Sequence, residues 1–251
     1  MNSITIAQFS DCHLFSTKGG MHYGHNVFTN LTSVLSELAS MKDLDAAVFT
    51  GDLTQDHSDE SYQLFNQVII DSNLSCPIYW LAGNHDDTLL LSKHLTAMNI
   101  QADKDITMND WRLLLIDSKS DTPAGLVNEK QQGRIRSKTK DIENTLIFMH
   151  HHAIDVGYFI DKHGLKNQQE FWMAVDHNKT IKAICCGHIH QGLNIVANEQ
   201  YSVPLYTCPA TSIQFDPQAD TVSALNSGPG YRLLELFSDG TIKTSINHLP
   251  Q

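Results

Sequence analysis

The amino-acid sequence predicts an α/β fold in which two packed sheets are flanked by helices. Short apolar, β-rich runs alternate with stretches of helical periodicity through the first two-thirds of the chain, and the last third is rich in strands. No linker, repeat or low-complexity tract interrupts this pattern, so residues 1–251 are interpreted as one domain. The 251 residues are 41% hydrophobic, which is ample for a buried core.

The alternating part is expected to contain strands and helices in turn. Strands are predicted at 4–9, 46–50, 78–82, 111–117, 145–149 and 181–186. Helices are predicted at 27–41, 58–70, 86–98, 128–142 and 168–177. In the first helix, for example, Leu31, Val34, Leu35 and Leu38 recur at the spacing of one helix face.

The last third is expected to form consecutive strands, which we predict to be antiparallel. The predicted strands are 193–197, 201–207, 231–237 and 241–248. Ser238-Asp239-Gly240 has the composition of a hairpin turn and is expected to connect the last two strands.

Composition excludes several classes of protein. The net charge is −11, with 17 Lys and Arg against 28 Asp and Glu, and no basic run provides a surface for nucleic acid. No run of 18 apolar residues predicts a membrane span, and the N-terminus reads as a strand rather than a signal peptide. The five cysteines show no C-x-x-C spacing, so reduced, buried thiols (Cys208 included) and a cytoplasmic location are expected.

Five short polar motifs each follow a predicted strand. They are Asp11-Cys12-His13, Gly51-Asp52, Gly83-Asn84-His85-Asp86, His150-His151-His152 and Gly187-His188-Ile189-His190. Strand ends are where open α/β sheets bind ligands, so these motifs are expected to share one edge. In extended chain, residues i and i+2 face the same side, which would pair Asp11 with His13 and His188 with His190.

The residue types in these motifs predict a site for two metal ions. Imidazole, carboxylate and amide oxygen without thiolate suit Mn, Fe, Zn or Co, and the sequence does not choose among Fe, Mn and Zn. Seven ligands exceed the needs of one tetrahedral ion but suit two divalent ions bridged by a carboxylate, for which Asp52 is the candidate. Such a pair clamps a phosphoryl group and lowers the pKa of bound water toward ~7, which favours phosphate-ester hydrolysis by the resulting hydroxide.

The order of the motifs resembles that of the calcineurin-like metallophosphoesterase superfamily. D-x-H, G-D, G-N-H-D, H-H-H and G-H-x-H follow one another between Asp11 and His190. A closer resemblance is to the bacterial class III cyclic nucleotide phosphodiesterases, and it extends over nearly the whole chain. The stretches that carry it are 11–15, 51–56, 114–118, 186–191 and 229–232.

The resemblance implies a four-layer βααβ sandwich of two mixed sheets with flanking helices, and it implies a role for each site residue. Asp11, His13 and His190 would hold one metal and Asn84, His150 and His188 the other, with Asp52 between them. His85 would be a phosphate contact or the general acid for the leaving alkoxide. The substrate would contact His13, Asp52, Asn84, His85 and His190.

Two positions depart from the pattern of the family. The histidine run is followed by Ala153-Ile154-Asp155 where relatives usually have proline, which bears on substrate preference. In protein phosphatases an aspartate pairs with the histidine of the G-N-H motif, and Gln55 occupies the position of that aspartate here. No carboxylate partner is therefore assigned to His85.

The leading function is therefore hydrolysis of 3′,5′-cyclic AMP to AMP, with a cyclic nucleotide or another small phosphodiester as substrate. Hydrolysis of glycerophosphodiesters is the first alternative and a non-catalytic scaffold the second. No nucleic-acid or membrane partner is expected, and the oligomeric state stays open because the C-terminal strands are able to pair across a dimer.

Several other residues receive an interpretation. Two roles stay open for Asp161, His163 and Asn167: they either contact the substrate or have a structural role in their loop. Asp86 is expected to cap the helix after it, and Arg232 to form an ion pair at a strand edge rather than a phosphate clamp. The remaining histidines are expected on the surface or in loops: His22, His25, His57, His94, His163, His177 and His248.

Overall fold

In the computed structural model, which describes residues 3–137 and 142–250, two six-stranded mixed sheets pack face to face. The strands are β1 (Ser3–Phe9), β2 (Met21–His22), β3 (His25–Asn26), β4 (Ala46–Phe49), β5 (Ile78–Trp80), β6 (Ile100–Gln101), β7 (Asp105–Met108), β8 (Trp111–Leu115), β9 (Asn144–Met149), β10 (Ile181–Cys186), β11 (Asn194–Ile195), β12 (Leu205–Thr207), β13 (Gly230–Phe237) and β14 (Ile242–His248). The helices are α1 (Val27–Ser40), α2 (Asp59–Ser72), α3 (Thr88–His94), α4 (Glu129–Arg136) and α5 (Gln168–His177), with a 3₁₀ helix at Phe159–His163.

The predicted class of two mixed sheets with flanking helices is confirmed. The first sheet has the order β14-β13-β1-β4-β5-β6 and the second β11-β12-β10-β9-β8-β7, while β2 and β3 form a separate hairpin. One core cluster lies between the sheets, and two further clusters join each sheet to the helices on its outer face. The layers therefore lie in the order αββα, with the sheets inside, whereas βααβ was expected.

Alternation along the central strands explains this arrangement. On β1, Ile6 packs between the sheets while Phe9 packs against the helices, and on β9 Phe148 and Met149 divide in the same way. Successive side chains of a strand point to opposite faces, and both faces here are apolar. Continuous apolar runs such as these are typical of strands buried on both sides.

The predicted helices are present, with changes at their ends. The helix expected at 86–98 spans only Thr88–His94, because the N–H groups of Thr96 and Ala97 donate to the Asn66 side chain and the chain turns away. Its N-cap is Asp87 rather than Asp86, so that expectation was wrong. The helix expected at 128–142 spans Glu129–Arg136, and positions 138–141 of that prediction lie outside the described residues.

The strands of the last third do not stay together as one series. β11 and β12 pair antiparallel and join the second sheet, where β12 runs parallel to β10. β13 and β14 form the predicted hairpin in the first sheet, with Gly240 in the turn at φ +87°. The antiparallel pairing is confirmed within each pair, but the two pairs belong to different sheets.

Arg232 connects the two sheets, and the expectation of a strand-edge ion pair was wrong. It is fully buried on β13 and donates to the carbonyl oxygens of Thr207 and Leu193 and to the side-chain oxygens of Asn194 and Thr244, at 2.6–3.0 Å. No carboxylate of the described residues lies within ion-pair distance of it. A buried guanidinium needs several acceptors, and these four come from both sheets.

The cysteines are buried and free, as predicted. Cys208 lies against β1, with its sulfur 3.3 Å from the carbonyl oxygen of Gln8. Among the described residues, no helix combines the length and apolar character needed to cross a bilayer.

Candidate metal centre

The five motif loops meet where the carboxyl ends of the parallel strands converge. The Asp11 N–H donates to the Gly51 carbonyl at 2.9 Å, and the Gly187 N–H donates to the His150 carbonyl at 3.1 Å. The His188 N–H donates to the Asp11 carboxylate at 3.0 Å and so connects the two sheets. All seven predicted ligands are brought together here, six of them buried and Asn84 half-buried.

The ligand residues do not continue their strands. Left-handed backbone conformations, with φ between 48° and 67°, occur at Asp11, His13, Asp52, His188 and His190. The extended backbone expected at Asp11, His13, His188 and His190 was therefore wrong, although Asp11 and His13 do face the same site. A φ in this region is uncommon outside glycine, although Asp and His tolerate it better than most residues. The turns aim the side chains inward from loops rather than from strands.

Two glycines let these loops approach closely. Gly51 has φ +100°, and a Cβ there would lie 2.4 Å from the Gly83 nitrogen. A Cβ on Gly83 would lie 2.1 Å from Oδ1 of Asp52. A side chain at Gly83 would collide with Asp52, and one at Gly51 would collide with the backbone of the Gly83 loop.

Each of the four candidate histidine ligands uses one ring nitrogen to bond an oxygen outside the centre. The pairs are His150 Nδ1 to Thr50 O (2.8 Å), His190 Nδ1 to Ile213 O (2.8 Å), His13 Nδ1 to Gln55 Oε1 (2.8 Å) and His188 Nε2 to His163 O (3.1 Å). These oxygens accept, so the ring nitrogens must donate and carry the proton of the neutral imidazole. The opposite nitrogen then presents a lone pair, which is how metal-ligating histidines are commonly oriented.

The lone pairs converge in two groups. In the first, Nε2 of His13 lies 3.1 Å from Nε2 of His190, which in turn lies 3.4 Å from the Asp11 carboxylate. In the second, Nε2 of His150 lies 3.1 Å from Oδ1 of Asn84. Acceptor atoms at this separation repel one another unless a proton or a cation lies between them. The donor set therefore fits metal ions.

Asp52 lies between the two groups. Its Oδ2 is 3.4 Å from Nε2 of His150 and 3.8 Å from Nε2 of His13, while its Oδ1 accepts the N–H of His85 at 2.9 Å. One oxygen thus faces both groups and the other anchors the neighbouring loop, which is the geometry a bridging carboxylate needs.

Burial and charge set the protonation of this centre. Burial lowers the pKa of His13 and of His188, which keeps both imidazoles neutral. Burial also opposes a charge on His150, but the Asp52 carboxylate outweighs it and raises the pKa of His150 to about 9. A dication bound at this point competes with a proton for Nε2 of His150.

Asp86 holds the loops rather than a metal or a helix end. Its carboxylate accepts the N–H groups of Asp52, Leu53 and Gly83 at 2.8–2.9 Å. Burial, followed by the charge of Asp52, raises the pKa of Asp86 to about 6. This carboxylate fixes the two glycine turns on either side of Asp52, and the G-N-H-D motif contained no signal for that role.

The other two histidines of the run have structural partners. His151 accepts from the hydroxyl of Ser118 at 2.8 Å and donates to the Pro123 carbonyl at 3.1 Å, so both its nitrogens are used. His152 stacks behind His188, with its Nε2 3.3 Å from the Asp161 carboxylate. His151 also lies beside His150 and His188, but because both of its nitrogens have other partners, His150 is the candidate ligand of this run.

Three side chains that the sequence did not connect with the centre contact His13 or His85. His57 stacks on His85 with ring centroids 5.5 Å apart, and His22 stacks on His13 at 5.3 Å. His57 is exposed in a loop, as expected, and His22 is half-buried in β2, but both border the centre, which the sequence did not indicate. Gln55 bonds His13, and no side chain of the described residues bonds the buried Nδ1 of His85.

A cavity of about 240 Å³ opens above the centre. Its floor includes His13, Asp52, Asn84 and His190, and its sides include His85, His163, Phe159 and Phe215. The two phenylalanines were missed because neither belongs to a motif. Asn167 is not part of it and instead bonds the backbone of Val127 in both directions.

The chain has two packed mixed sheets with a buried centre of histidines and carboxylates at their shared edge, which is the arrangement expected of a metal-dependent hydrolase. A family model described as calcineurin-like phosphoesterase matches residues 4–192, and the chain therefore belongs to this family of hydrolases. The family and the buried clusters together imply two metal ions.

Relatives over the full length are similar. The chain is 49% identical over 247 residues to a probable cyclic nucleotide phosphodiesterase of Colwellia psychrerythraea, covering 97% of this chain and 94% of that one. It is 32% identical over 252 residues to a 3′,5′-cyclic adenosine monophosphate phosphodiesterase of Escherichia coli, covering 98% and 90%. A dimetal phosphatase from Danio rerio shares the fold with a TM-score of 0.61 at 12% identity, covering 92% and 95%.

We expect the protein to bind two Mn²⁺ ions per chain. A variant that lacks a candidate ligand of one group should lose the ion of that group and keep the other. His13→Ala and His150→Ala should each retain about one ion, and Asp52→Ala close to none, because each of the first two removes a lone pair from one group only. Metal content after dialysis, measured by mass spectrometry, tests this. His177→Ala, at an exposed site on α5, is the control and should retain two. Two tightly held ions in His150→Ala would contradict the assignment.

Proposed function

We propose that this chain is a metal-dependent phosphodiesterase that hydrolyses 3′,5′-cyclic AMP to AMP. The observation that carries the proposal is the convergence of buried lone pairs on the floor of a cavity, in a chain of a phosphoesterase family. A cyclic nucleotide is supported by the name of the relative at 49% identity, and cyclic AMP by the name of the relative at 32% identity. A cytoplasmic location belongs to the same proposal, and the free thiols suit a reducing compartment.

The proposed ligands follow the two groups of lone pairs. Asp11, His13 and His190 hold one ion, and Asn84, His150 and His188 hold the other, with Asp52 between them. Nitrogen and oxygen donors without thiolate suit Fe, Mn or Zn. When bound, two such ions polarise the phosphoryl oxygens and lower the pKa of a coordinated water.

The size and charge of the site favour a small anionic substrate. The cavity of about 240 Å³ is below the usual range of ~300–1,000 Å³ for ligand pockets, so it suits a mononucleotide better than a polymer. The protein has a net charge of −11, and two dications in the floor would make the site locally positive. The proposed substrate contacts are His85 and the four floor residues His13, Asp52, Asn84 and His190.

His85 is the proposed proton donor to the leaving oxygen. Its ring lies edge-on to His13 at 4.9 Å and lines the cavity, while its backbone is fixed by Asp52 and by His57. Burial lowers the pKa of His85, so its protonated form is a stronger acid but is less populated at neutral pH, and the Asp52 carboxylate acts in the opposite direction by favouring that form. In the proposed step a water oxygen bonds to phosphorus, the P–O3′ bond breaks, and His85 transfers a proton to O3′.

The substrate proposal is tested with the Mn²⁺-loaded protein and a panel of diesters. The panel contains cyclic AMP, cyclic GMP, 2′,3′-cyclic AMP and glycerophosphoethanolamine, and kcat/KM is compared across it. We expect cyclic AMP to be among the best substrates and to yield 5′-AMP. A kcat/KM for cyclic AMP far below that for the glycerol diester would contradict the substrate, and the absence of any metal-dependent hydrolysis would favour a scaffold.

The role of His85 is tested by changing the leaving group. His85→Asn should lower kcat for cyclic AMP by about 10²-fold or more, since an alkoxide needs a proton to leave. The p-nitrophenyl ester of 5′-AMP has a leaving group that needs no proton, so its kcat should fall far less. Metal content must equal that of the wild type, and His177→Ala serves as the control. Equal losses on both substrates would show that His85 does not act as the acid.

A further inference from the structure

The cavity has an apolar wall for which phosphoester chemistry provides no role. Beside the polar floor it is also lined by Phe159, Ile160, Phe215 and Val222. Cleavage at phosphorus needs polar and charged groups, whereas these side chains offer only flat or branched hydrocarbon. The wall must therefore serve the part of the substrate that lies beyond the phosphate.

Phe215 is held directly against the metal centre. Its ring is parallel to that of His190, with an interplanar angle of 5° and centroids 3.8 Å apart. The Phe215 N–H also donates to the His190 carbonyl at 3.3 Å. This phenyl ring therefore begins where the floor ends, within reach of any ligand whose phosphate contacts the centre.

Phe159 extends the wall outward. Its ring packs against Phe215 with centroids 5.1 Å apart and an angle of 55°, and the side chain is only half-buried. The Lys162 ammonium lies 5.7 Å from the centre of the Phe159 ring. The ring is thus partly exposed and lines the cavity, with the Lys162 ammonium over one of its faces.

The turn that carries Phe159 is anchored to the ligand loops. The Tyr158 hydroxyl donates to the carbonyl of Ile189 at 3.1 Å, and His188 donates to the carbonyl of His163. Within the turn, the Asp161 carboxylate accepts the N–H groups of Val156 and Gly157, at 2.8 and 2.7 Å. The distance between wall and floor is thereby fixed by bonds on both sides of Phe159.

The chemistry of the wall selects among diesters. A glycerol headgroup has no planar apolar face that could stack on Phe159 or Phe215. A nucleobase is planar and apolar on its faces, and it gains free energy by stacking on aromatic rings. A ribose joins the base to the phosphate, and the continuous path from His190 through Phe215 to Phe159 follows that order.

We propose that Phe159 and Phe215 form a nucleobase shelf, which makes the site prefer cyclic nucleotides to diesters without a base. The inference rests on the proposed function, because the phosphate must lie at the metal centre for the base to reach the shelf. It names Phe159 as a specificity-determining residue in the segment that follows Ala153-Ile154-Asp155.

The test measures binding rather than turnover. The Mn²⁺-loaded protein is titrated calorimetrically with AMP and with ribose 5-phosphate, which differ only in the base. We expect AMP to bind the wild type about tenfold or more tightly, as one base-stacking contact allows. In Phe159→Ala this ratio should fall below about threefold, whereas Phe159→Trp should retain it. Phe159→Leu, which keeps the apolar volume but lacks the aromatic face, should behave as Phe159→Ala if the alanine variant does not fold.

Met173→Ala, at an exposed position of α5, is the matched control and should keep the wild-type ratio. Equal affinities for AMP and ribose 5-phosphate in the wild type, or an unchanged ratio in both Phe159→Ala and Phe159→Leu, would overturn the shelf. A wild type that prefers AMP but does not hydrolyse cyclic AMP would instead leave the shelf standing and contradict the proposed function. The two failures are therefore distinguishable.

Discussion

The candidate centre depends on one constraint: each of four imidazoles must keep its proton on the nitrogen that faces away from the centre. Oxygens supplied by Thr50, Gln55, His163 and Ile213 impose this by accepting the outer N–H. The inner nitrogens then face one another and the carboxylates at 3.1–3.8 Å, a set of acceptors that only a proton or a cation can reconcile. Affinity for metal is thus built into the loops that surround the ligands.

The rest of the fold holds this unfavourable arrangement in place. Five of the candidate ligands adopt left-handed backbone conformations, each of which costs about 1–3 kcal/mol outside glycine. Asp86 bonds three N–H groups around Asp52, and Arg232 bonds four acceptors contributed by both sheets. Because each of the two groups combines residues that follow strands of both sheets, the geometry of each group is set by the packing between those sheets.

The sequence predicted the parts of the molecule that rest on local patterns. Apolar runs predicted the central strands. The polar motifs after those strands predicted that residues such as Asp52 and His150 would meet in one site. It did not reveal contacts that depend on tertiary folding. Arg232 looked like a surface cation because its acceptors lie up to 39 residues away, and Phe215 carried no motif although it stacks on His190. Asp86 had the composition of a helix cap, but the glycine turns beside it offered three donors and Asp87 took the cap.

The central claim is that Asp52 joins two adjacent metal positions, and magnetic coupling tests it most directly. Electron paramagnetic resonance of the protein loaded with two Mn²⁺ per chain should show the multiline spectrum of a spin-coupled pair, since ions about 3.5–4 Å apart share a bridge. A six-line spectrum of isolated Mn²⁺ at the same loading would show that the ions occupy separate sites and would contradict the account.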